Sequence, residues 1–298
     1  MANALRQTQP TILGAGPGHN SPKVSLGLSE FKRVSKIMKI DAGIDLPDEK
    51  VNLVHARLQK RLRQLGLSSF KDYCDLVESA DGGQERKFMR NALTTNLTRF
   101  FREPHHFKHL IQESLPPVIA KAKSGERIRI WSAGCSTGEE AYSIASVVHT
   151  LCPEIAGLDF KILASDIDNN VIRTGHLGKY KKSEVMKLPV KVREKYFTAC
   201  EKDLNTLIVK EHLRSLVAFR HLNLNAKHWP MRGKFDIIFC RNTVIYFDEA
   251  TQVDLWMKFK NQMQPGGFLY IGHSEKLSGP AEAAFRKPSI TVYQLENT

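Results

Sequence analysis

Between Arg127 and Ala145 the chain reads Arg-Ile-Arg-Ile-Trp-Ser-Ala-Gly-Cys-Ser-Thr-Gly-Glu-Glu-Ala-Tyr-Ser-Ile-Ala. An apolar run passes into a loop of small residues (Ala133, Gly134, Ser136, Gly138) and then into an amphipathic helix. Small residues let a backbone approach a ligand closely, and a helix N-terminus offers it free N–H groups. The Gly-x-x-x-Gly spacing is not the dinucleotide fingerprint, and Glu139 and Glu140 in the first helical turn would sit badly beside a pyrophosphate. A cationic ligand without phosphate suits the loop better. S-adenosylmethionine carries a sulfonium and an ammonium, and a carboxylate pairs with the latter. The same two acids also serve as ordinary first-turn residues favoured by the helix dipole. A second acidic end follows at Ala164-Ser-Asp-Ile-Asp168. In doubly wound sheets an acid there commonly accepts hydrogen bonds from ribose hydroxyls, although a strand-end acid is also a frequent helix cap. Both features in order, with no phosphate cradle, point to a nucleoside-type cofactor.

These residues need a scaffold that turns strand ends toward one crevice. From Arg127 onward short apolar runs alternate with helical segments, the signature of an α/β fold with a mostly parallel, doubly wound sheet. Strands are predicted at 128–132, 160–165, 235–240, 268–271 and 290–294, with helices at about 137–150, 169–176 and 249–263. Two further β-rich runs, 207–210 and 216–220, break the rhythm, and we read about 188–222 as an inserted small antiparallel β subdomain. Residues 30–110 carry helical periodicity, 111–126 read as a linker, and 1–29 read as a flexible tail without acids. The glycine run Gly14 to Gly18 within that tail has neither strand nor helix around it and is read as linker. From Asp48 to Leu65, the residues Val51, Val54, Leu58, Leu62 and Leu65 mark one apolar helix face, with Gly66 as its stop. The remaining faces present Arg57, Lys60, Arg61 and Arg63, either a solvated surface or a docking face for an acidic partner.

Composition bounds the possibilities. The 298 residues are 42% hydrophobic and 25% charged, ordinary for a globular protein of about two domains. No apolar run approaches the roughly 18 residues of a membrane span, and the N-terminus lacks the apolar stretch of a secretory signal. Five scattered cysteines, without a C-x-x-C pair, argue against disulfides or a zinc knuckle and fit a reducing cytoplasm. The formal charge of +13 implies an acidic partner.

Five stretches in order carry a resemblance to a known family: Asn91-Ala-Leu-Thr-Thr-Asn-Leu-Thr-Arg-Phe-Phe-Arg-Glu103, Trp131-Ser-Ala-Gly-Cys-Ser-Thr-Gly-Glu-Glu140, Ala164 to Asp168, Phe239-Cys-Arg-Asn-Thr-Val-Ile-Tyr-Phe247, and Gly272-His-Ser-Glu275. Over about residues 30–295 the chain resembles the chemotaxis receptor methyltransferases (CheR). These transfer a methyl group from S-adenosylmethionine to receptor glutamates and release S-adenosylhomocysteine. The resemblance implies a methyltransferase-type sheet domain at 127–298, a small all-helical N-terminal domain, and the inserted subdomain. It implies that Asn96, Thr98 and Arg102 close over the cofactor. Glu140, in preference to Glu139, is the loop acid, and Asp166 is the ribose acid. Asn223, Leu224, Arg241 and Asn242 complete the cofactor set, while Arg102 and Tyr246 arrange the substrate carboxylate and the sulfonium. It implies a cytoplasmic enzyme, expected to be a monomer, recruited to membrane-bound receptor arrays to act on acidic receptor helices. In some members the inserted subdomain grips a receptor tail peptide; here the run Thr198 to Thr206 lacks the glycine found in that loop.

The chemistry agrees with the residues. A glutamate, with an ordinary pKa of about 4.3, is already an anion at neutral pH, so methyl transfer to it needs alignment and desolvation, not a base. No Ser-His-Asp, Cys-His or metal arrangement is evident. His105, His106 and His109 have helical spacing that could suggest a metal pair, but no nearby cysteine or inward acid is expected to complete a site. Two rivals fit less well. A nucleic-acid methyltransferase acting on amines would carry a Pro-Pro-aromatic loop where Arg241 to Tyr246 has no proline. A non-catalytic binding module would have no reason to keep the whole cofactor set.

Overall fold

The computed structural model describes residues 24–297, so the glycine run at 14–18 and most of the anticipated tail lie outside it. Four helices come first: α1 (Leu28–Ala42), α2 (Val51–Gln64), α3 (Phe70–Glu78) and α4 (Gly83–Leu93). The α2 stripe behaves as its spacing requires, with Val54, Leu58 and Leu62 fully buried against Phe31, Val34, Phe70 and Tyr73. Gly66 stops it in the left-handed conformation (φ 69°), where the Leu67 N–H reaches back to the Leu62 carbonyl. The stretch expected to be tail up to residue 29 ends earlier. Val24 and Leu26 pack on the helical core, the Val24 carbonyl lies 2.7 Å from His55 Nε2, and α1 begins at Leu28.

The helical pattern also stops sooner than residue 110. Thr94 to Glu103 form an irregular loop, and α5 (Pro104–His109) continues through a π-helical turn into α6 (Leu115–Lys123). The segment 111–126 is therefore mostly helix. Leu110, Leu115 and Val118 are buried with Ile128, Ile130 and Ile144, so these helices cover the sheet. The sequence signal was masked by Pro116 and Pro117, which sit in the first turn of α6, where proline is tolerated.

The sheet has seven strands in the order β6-β2-β1-β7-β8-β10-β9. Its strands are β1 (Ile128–Ala133), β2 (Phe160–Asp166), β6 (Val217–His221), β7 (Phe235–Cys240), β8 (Met263–Ile271), β9 (Phe285–Ser289) and β10 (Val292–Leu295). The first five run parallel, and β10 enters antiparallel beside β8. Helices α7 (Glu139–Leu151), α8 (Asn169–Leu177) and α12 (Glu249–Asn261) follow β1, β2 and β7. The last expected strand resolves into the β9–β10 hairpin, and Ile290 lies at its turn.

The insertion differs from its expected limits. The separate antiparallel sheet has the order β3-β5-β4, built from β3 (Lys179–Lys181), β4 (Phe197–Cys200) and β5 (Asp203–Val209). Short helices α9 (Lys182–Val185) and α10 (Val190–Tyr196) link β3 to β4. The run 216–220, expected in this subdomain, instead joins the main sheet as β6, parallel to β2. Strand propensity is the same in either sheet. What decides is α11 (Glu211–Arg214), which turns the chain so that Phe219 packs on Tyr142 of α7, ring centroids 5.7 Å apart.

The two units meet at the carboxyl edge of the sheet. Gly43 ends α1 with φ 73°, and a Cβ there would come within 2.9 Å of the Asn225 side chain and 3.1 Å of the Phe247 ring. Only glycine allows that approach. Beyond it Ile44 bridges to Phe247, and the Asp45 N–H donates to the Tyr246 carbonyl at 2.8 Å.

Candidate active site

One cavity opens where β1, β2, β6 and β7 end, the crevice in which doubly wound sheets hold ligands. Its wall includes Gly134, Ser136 and Glu140 after β1, Asp166 after β2, Asn223 and Leu224 after β6, and Arg241, Asn242 and Tyr246 after β7. Asn96, Thr98 and Arg102 reach it from the irregular loop, and Ala42 to Leu46 close it from the helical unit. All nine residues expected to contact the cofactor, and Tyr246 with them, thus line one cavity.

The loop after β1 is shaped by close contacts. Gly134 (φ 78°) has no room for a Cβ, which would fall 2.3 Å from Thr243 Oγ1. The Ser136 N–H donates to Asp166 Oδ2 at 2.9 Å, and the Asp168 N–H donates to Oδ1 at 3.0 Å. Each carboxylate oxygen of Asp166 keeps a further acceptor site. Burial pushes its pKa up, while the two backbone donors pull it down. Asp168 has other work: it caps α8 by accepting from the Asn170 N–H at 2.8 Å and holds Asn96 Nδ2 at 3.0 Å.

The two first-turn acids separate as well. Glu140 accepts from Ser132 Oγ at 2.6 Å and from Arg241 Nε at 2.7 Å, in a buried ion pair on the cavity wall. Glu139 turns to Thr137 Oγ1 at 2.6 Å, away from the wall, and burial pushes its pKa up. Arg241 is the hub of this network. Its Nη1 donates to the Arg102 carbonyl at 2.6 Å and lies 3.0 Å from His106 Nδ1. Burial first, and Arg241 next, push the His106 pKa down to about 2, so the ring is neutral and accepts at Nδ1.

Aromatic anchors fix the irregular loop. Phe100 packs edge-on against Tyr180 (4.9 Å) and Phe197 (5.5 Å) of the inserted sheet. Phe101 (φ 51°) packs on Phe107 at 5.1 Å, and its N–H donates to Ser143 Oγ at 3.0 Å. Held between these contacts, the Ser136 hydroxyl donates to the Asn96 carbonyl, and Arg102 Nη1 donates to the Leu97 carbonyl at 3.0 Å.

Family models match both units of the chain: a "CheR methyltransferase, SAM binding domain" over residues 96–294 and a "CheR methyltransferase, all-alpha domain" over 29–94. The chain belongs to the CheR methyltransferase family. It is 47% identical over 255 residues to a probable chemotaxis protein methyltransferase of Rhizobium etli, covering 85% of this chain and 95% of that one. A chemotaxis protein methyltransferase of Escherichia coli is 40% identical over 274 residues, covering 92% and 93%. One of Borreliella burgdorferi is 35% identical over 269 residues, covering 89% and 94%. The protein is accordingly a chemotaxis methyltransferase that uses S-adenosylmethionine. The residues present fit that group: the cavity wall offers the Glu140 carboxylate for an ammonium, free acceptor sites on Asp166 for hydroxyls, and a buried Asn242 Oδ1 with no partner. Among the described residues no helix is long and apolar enough to cross a membrane.

Three features of this CheR-family site were not read from the sequence. Glu275 accepts backbone N–H bonds from the whole Asn242 to Ile245 turn. Asn223, expected only at the cofactor, also ties the two units together, its Nδ2 donating to the Asp41 carbonyl at 2.7 Å. Glu103 joins His105 and His106, with possible ligand atoms within 4.8 Å of one another, so an acid does stand beside the histidines. The His106 Nδ1 lone pair there faces the Arg241 guanidinium, which competes with any metal.

The basic stripe on α2 is not uniform. Arg57 Nη1 donates to the carbonyls of Leu93 and Thr94, both at 2.9 Å, capping the end of α4. Arg61 grips buried Glu85 with both arms (3.0 and 2.6 Å) and stacks over Phe88 at 4.2 Å. Lys60 and Arg63 are exposed. Helical spacing told which residues leave the core face, but not that α4 would bring carbonyls and an acid to meet two of them.

Proposed function

We propose that this methyltransferase esterifies glutamate side chains of chemoreceptors, releasing S-adenosylhomocysteine. The observation that carries the reading is that Arg102 and Tyr246 line the same cavity as Glu140 and Asp166. When bound, S-adenosylmethionine supplies an electrophilic methyl on its sulfonium. Glu140 would hold its ammonium and Asp166 would accept from its ribose hydroxyls, while Asn96, Thr98, Asn223, Leu224, Arg241 and Asn242 complete the binding wall. Arg102 holds one oxygen of the incoming carboxylate with its planar fork, leaving the other as nucleophile. Tyr246, on the same wall, would offer its ring and hydroxyl to the positive sulfur. The substrate is already anionic, so the site aligns oxygen, methyl and sulfur and removes water from the nucleophile. No proton has to move.

The acidic receptor helices are steered by the +13 surface, with exposed Lys60 and Arg63 on α2 as the first contacts. The inserted sheet is the surface we assign to a receptor tail peptide, with β4 at its edge. Both interactions would draw the enzyme to receptor arrays at the membrane. The test is incubation with methyl-labelled S-adenosylmethionine and receptor-bearing membranes, followed by alkali. Glutamate methyl esters release labelled methanol; label that survives base on nitrogen would overturn the reading.

A further inference from the structure

Glu275 lies after β8, outside the residues that line the cavity, yet the turn after β7 that carries Asn242 to Tyr246 hangs from it. Its Oε1 accepts from the N–H groups of Thr243 and Val244, both at 2.8 Å, and of Ile245 at 3.4 Å. Its Oε2 accepts from Asn242 at 3.0 Å and from Gly272 at 2.5 Å. The side chain is buried, and each oxygen faces only N–H donors, the arrangement an ionised carboxylate satisfies and an amide cannot. Four of these donors, from Asn242 to Ile245, sit one after another along the turn that begins with Asn242 in the left-handed region (φ 55°) and runs to Tyr246. A non-glycine residue persists there when its surroundings dictate the conformation.

The packing leaves no slack. A Cβ on Gly272 would stand 2.7 Å from the Asn242 nitrogen and 2.9 Å from Glu275 Oε2. On the far side of the turn, Asp45 holds the Tyr246 carbonyl at 2.8 Å and Ile44 bridges to Phe247. The turn is thus stretched between a carboxylate on one side and the helical unit on the other. We infer that Glu275 is a positioning residue for methyl transfer, its carboxylate organising the backbone that aims Asn242 at the cofactor and Tyr246 at the reacting centre. This deepens the reading given under Proposed function and rests on it.

The test uses the full chain carrying Glu275→Gln, which places an amide NH2 against backbone N–H groups whichever way it turns. S-adenosylhomocysteine titration counts folded sites and gives affinity; receptor methylation at saturating cofactor gives kcat and KM. The expected result is one site per chain, kcat lowered about 10- to 100-fold, KM for receptor within about threefold, and product affinity lowered about three- to tenfold. A merely structural role would lower the number of competent sites and leave kcat per site intact. Gly272→Ala should reproduce the kcat loss by wedging the same turn, and the double variant should be no worse than the poorer single one. If Glu275→Gln binds no product, Glu275→Asp and Gly272→Ala decide in the same assay. A kcat per site within threefold of the wild type overturns the assignment. A wild type inert on receptors would instead overturn the acceptor reading, and unchanged product affinity in the variants would then overturn the role of Glu275.

Discussion

Replacing Asp166 with alanine should weaken cofactor binding far more than replacing Asp168, although the two acids are two residues apart. The structure supplies the reason. Asp166 spends one acceptor site of each oxygen on a backbone N–H, from Ser136 and from Asp168, and lines the cavity with what remains. Two ribose hydroxyls can therefore bind an anion whose orientation is already fixed. A hydrogen bond to a charged partner is worth about 1.5 to 3 kcal/mol, so losing this acceptor should raise the dissociation constant about 10- to 150-fold. The substitution also frees the Ser136 N–H, which loosens the loop and adds to the loss. Asp168 acts elsewhere, at the Asn170 N–H and Asn96 Nδ2. Its removal should cost stability of about 1 kcal/mol through the lost cap, with affinity changing only as far as Asn96 relaxes, about threefold. Calorimetric titration of S-adenosylhomocysteine, alongside urea unfolding, separates the two effects. Equal and small affinity losses for both variants would refute the assignment of Asp166 to the ribose.

Other consequences concern pH and the basic face. The folded pKa of His106, about 2, lies below its unfolded value of about 6.5, so the unfolded chain takes up the extra proton. The contribution is complete above pH 6.5 and is lost as pH falls, by about 1.4 kcal/mol per unit, against Arg241 and His105 and with Glu103 3.3 Å from Nδ1. Urea unfolding at pH 6.5 and 5.5 should show His106→Gln losing about 1 kcal/mol less than the wild type, since the unfolded imidazole is already half protonated at pH 6.5; parallel losses would contradict a neutral buried ring. Arg61→Glu should destabilise the helical unit by about 3 kcal/mol, because it sets a carboxylate against buried Glu85, and a thermal scan reads this directly. Lys60→Glu with Arg63→Glu should leave the unfolding midpoint unchanged and slow receptor methylation at low salt, with the gap narrowing as ionic strength rises. A normal rate at low salt would move the docking surface away from α2.

What the sequence made legible follows from range. The loop after β1, the acid at Asp166 and the α2 stripe are local patterns, in which spacing alone says which side chains share a face. Arg57 and Arg61 could not be sorted from Lys60 and Arg63, because their partners come from α4, across an intervening helix. The same holds for 216–220: its β-branched and aromatic residues suit any strand, and the choice of sheet rests on the turn through α11 and on Phe219 meeting Tyr142. Glu275 had a motif, Gly272-His-Ser-Glu275, but its partners are backbone N–H groups, which every residue carries, so side-chain chemistry gave no hint of them.

Methyl transfer to a carboxylate, the reaction proposed above, needs no proton transfer and leaves little for side-chain acids and bases to do; its barrier falls with alignment. Alignment is a property of the backbone, and the acids around this cavity are spent largely on backbone. Asp166 pins the loop after β1 and Glu275 the turn after β7, while the Ser136 hydroxyl holds the Asn96 carbonyl of the loop above. The Glu140–Arg241 pair extends the same logic to charge. Arg241 Nε pairs with one oxygen of that acid in the buried wall, and its other donors hold the Arg102 carbonyl and His106. Truncating Arg241 would leave Glu140 buried and unpaired and would release the backbone of Arg102 at the same stroke. The guanidinium we assign to the substrate carboxylate is therefore set by the ion pair on the cofactor wall, which couples the two halves of the site through one side chain.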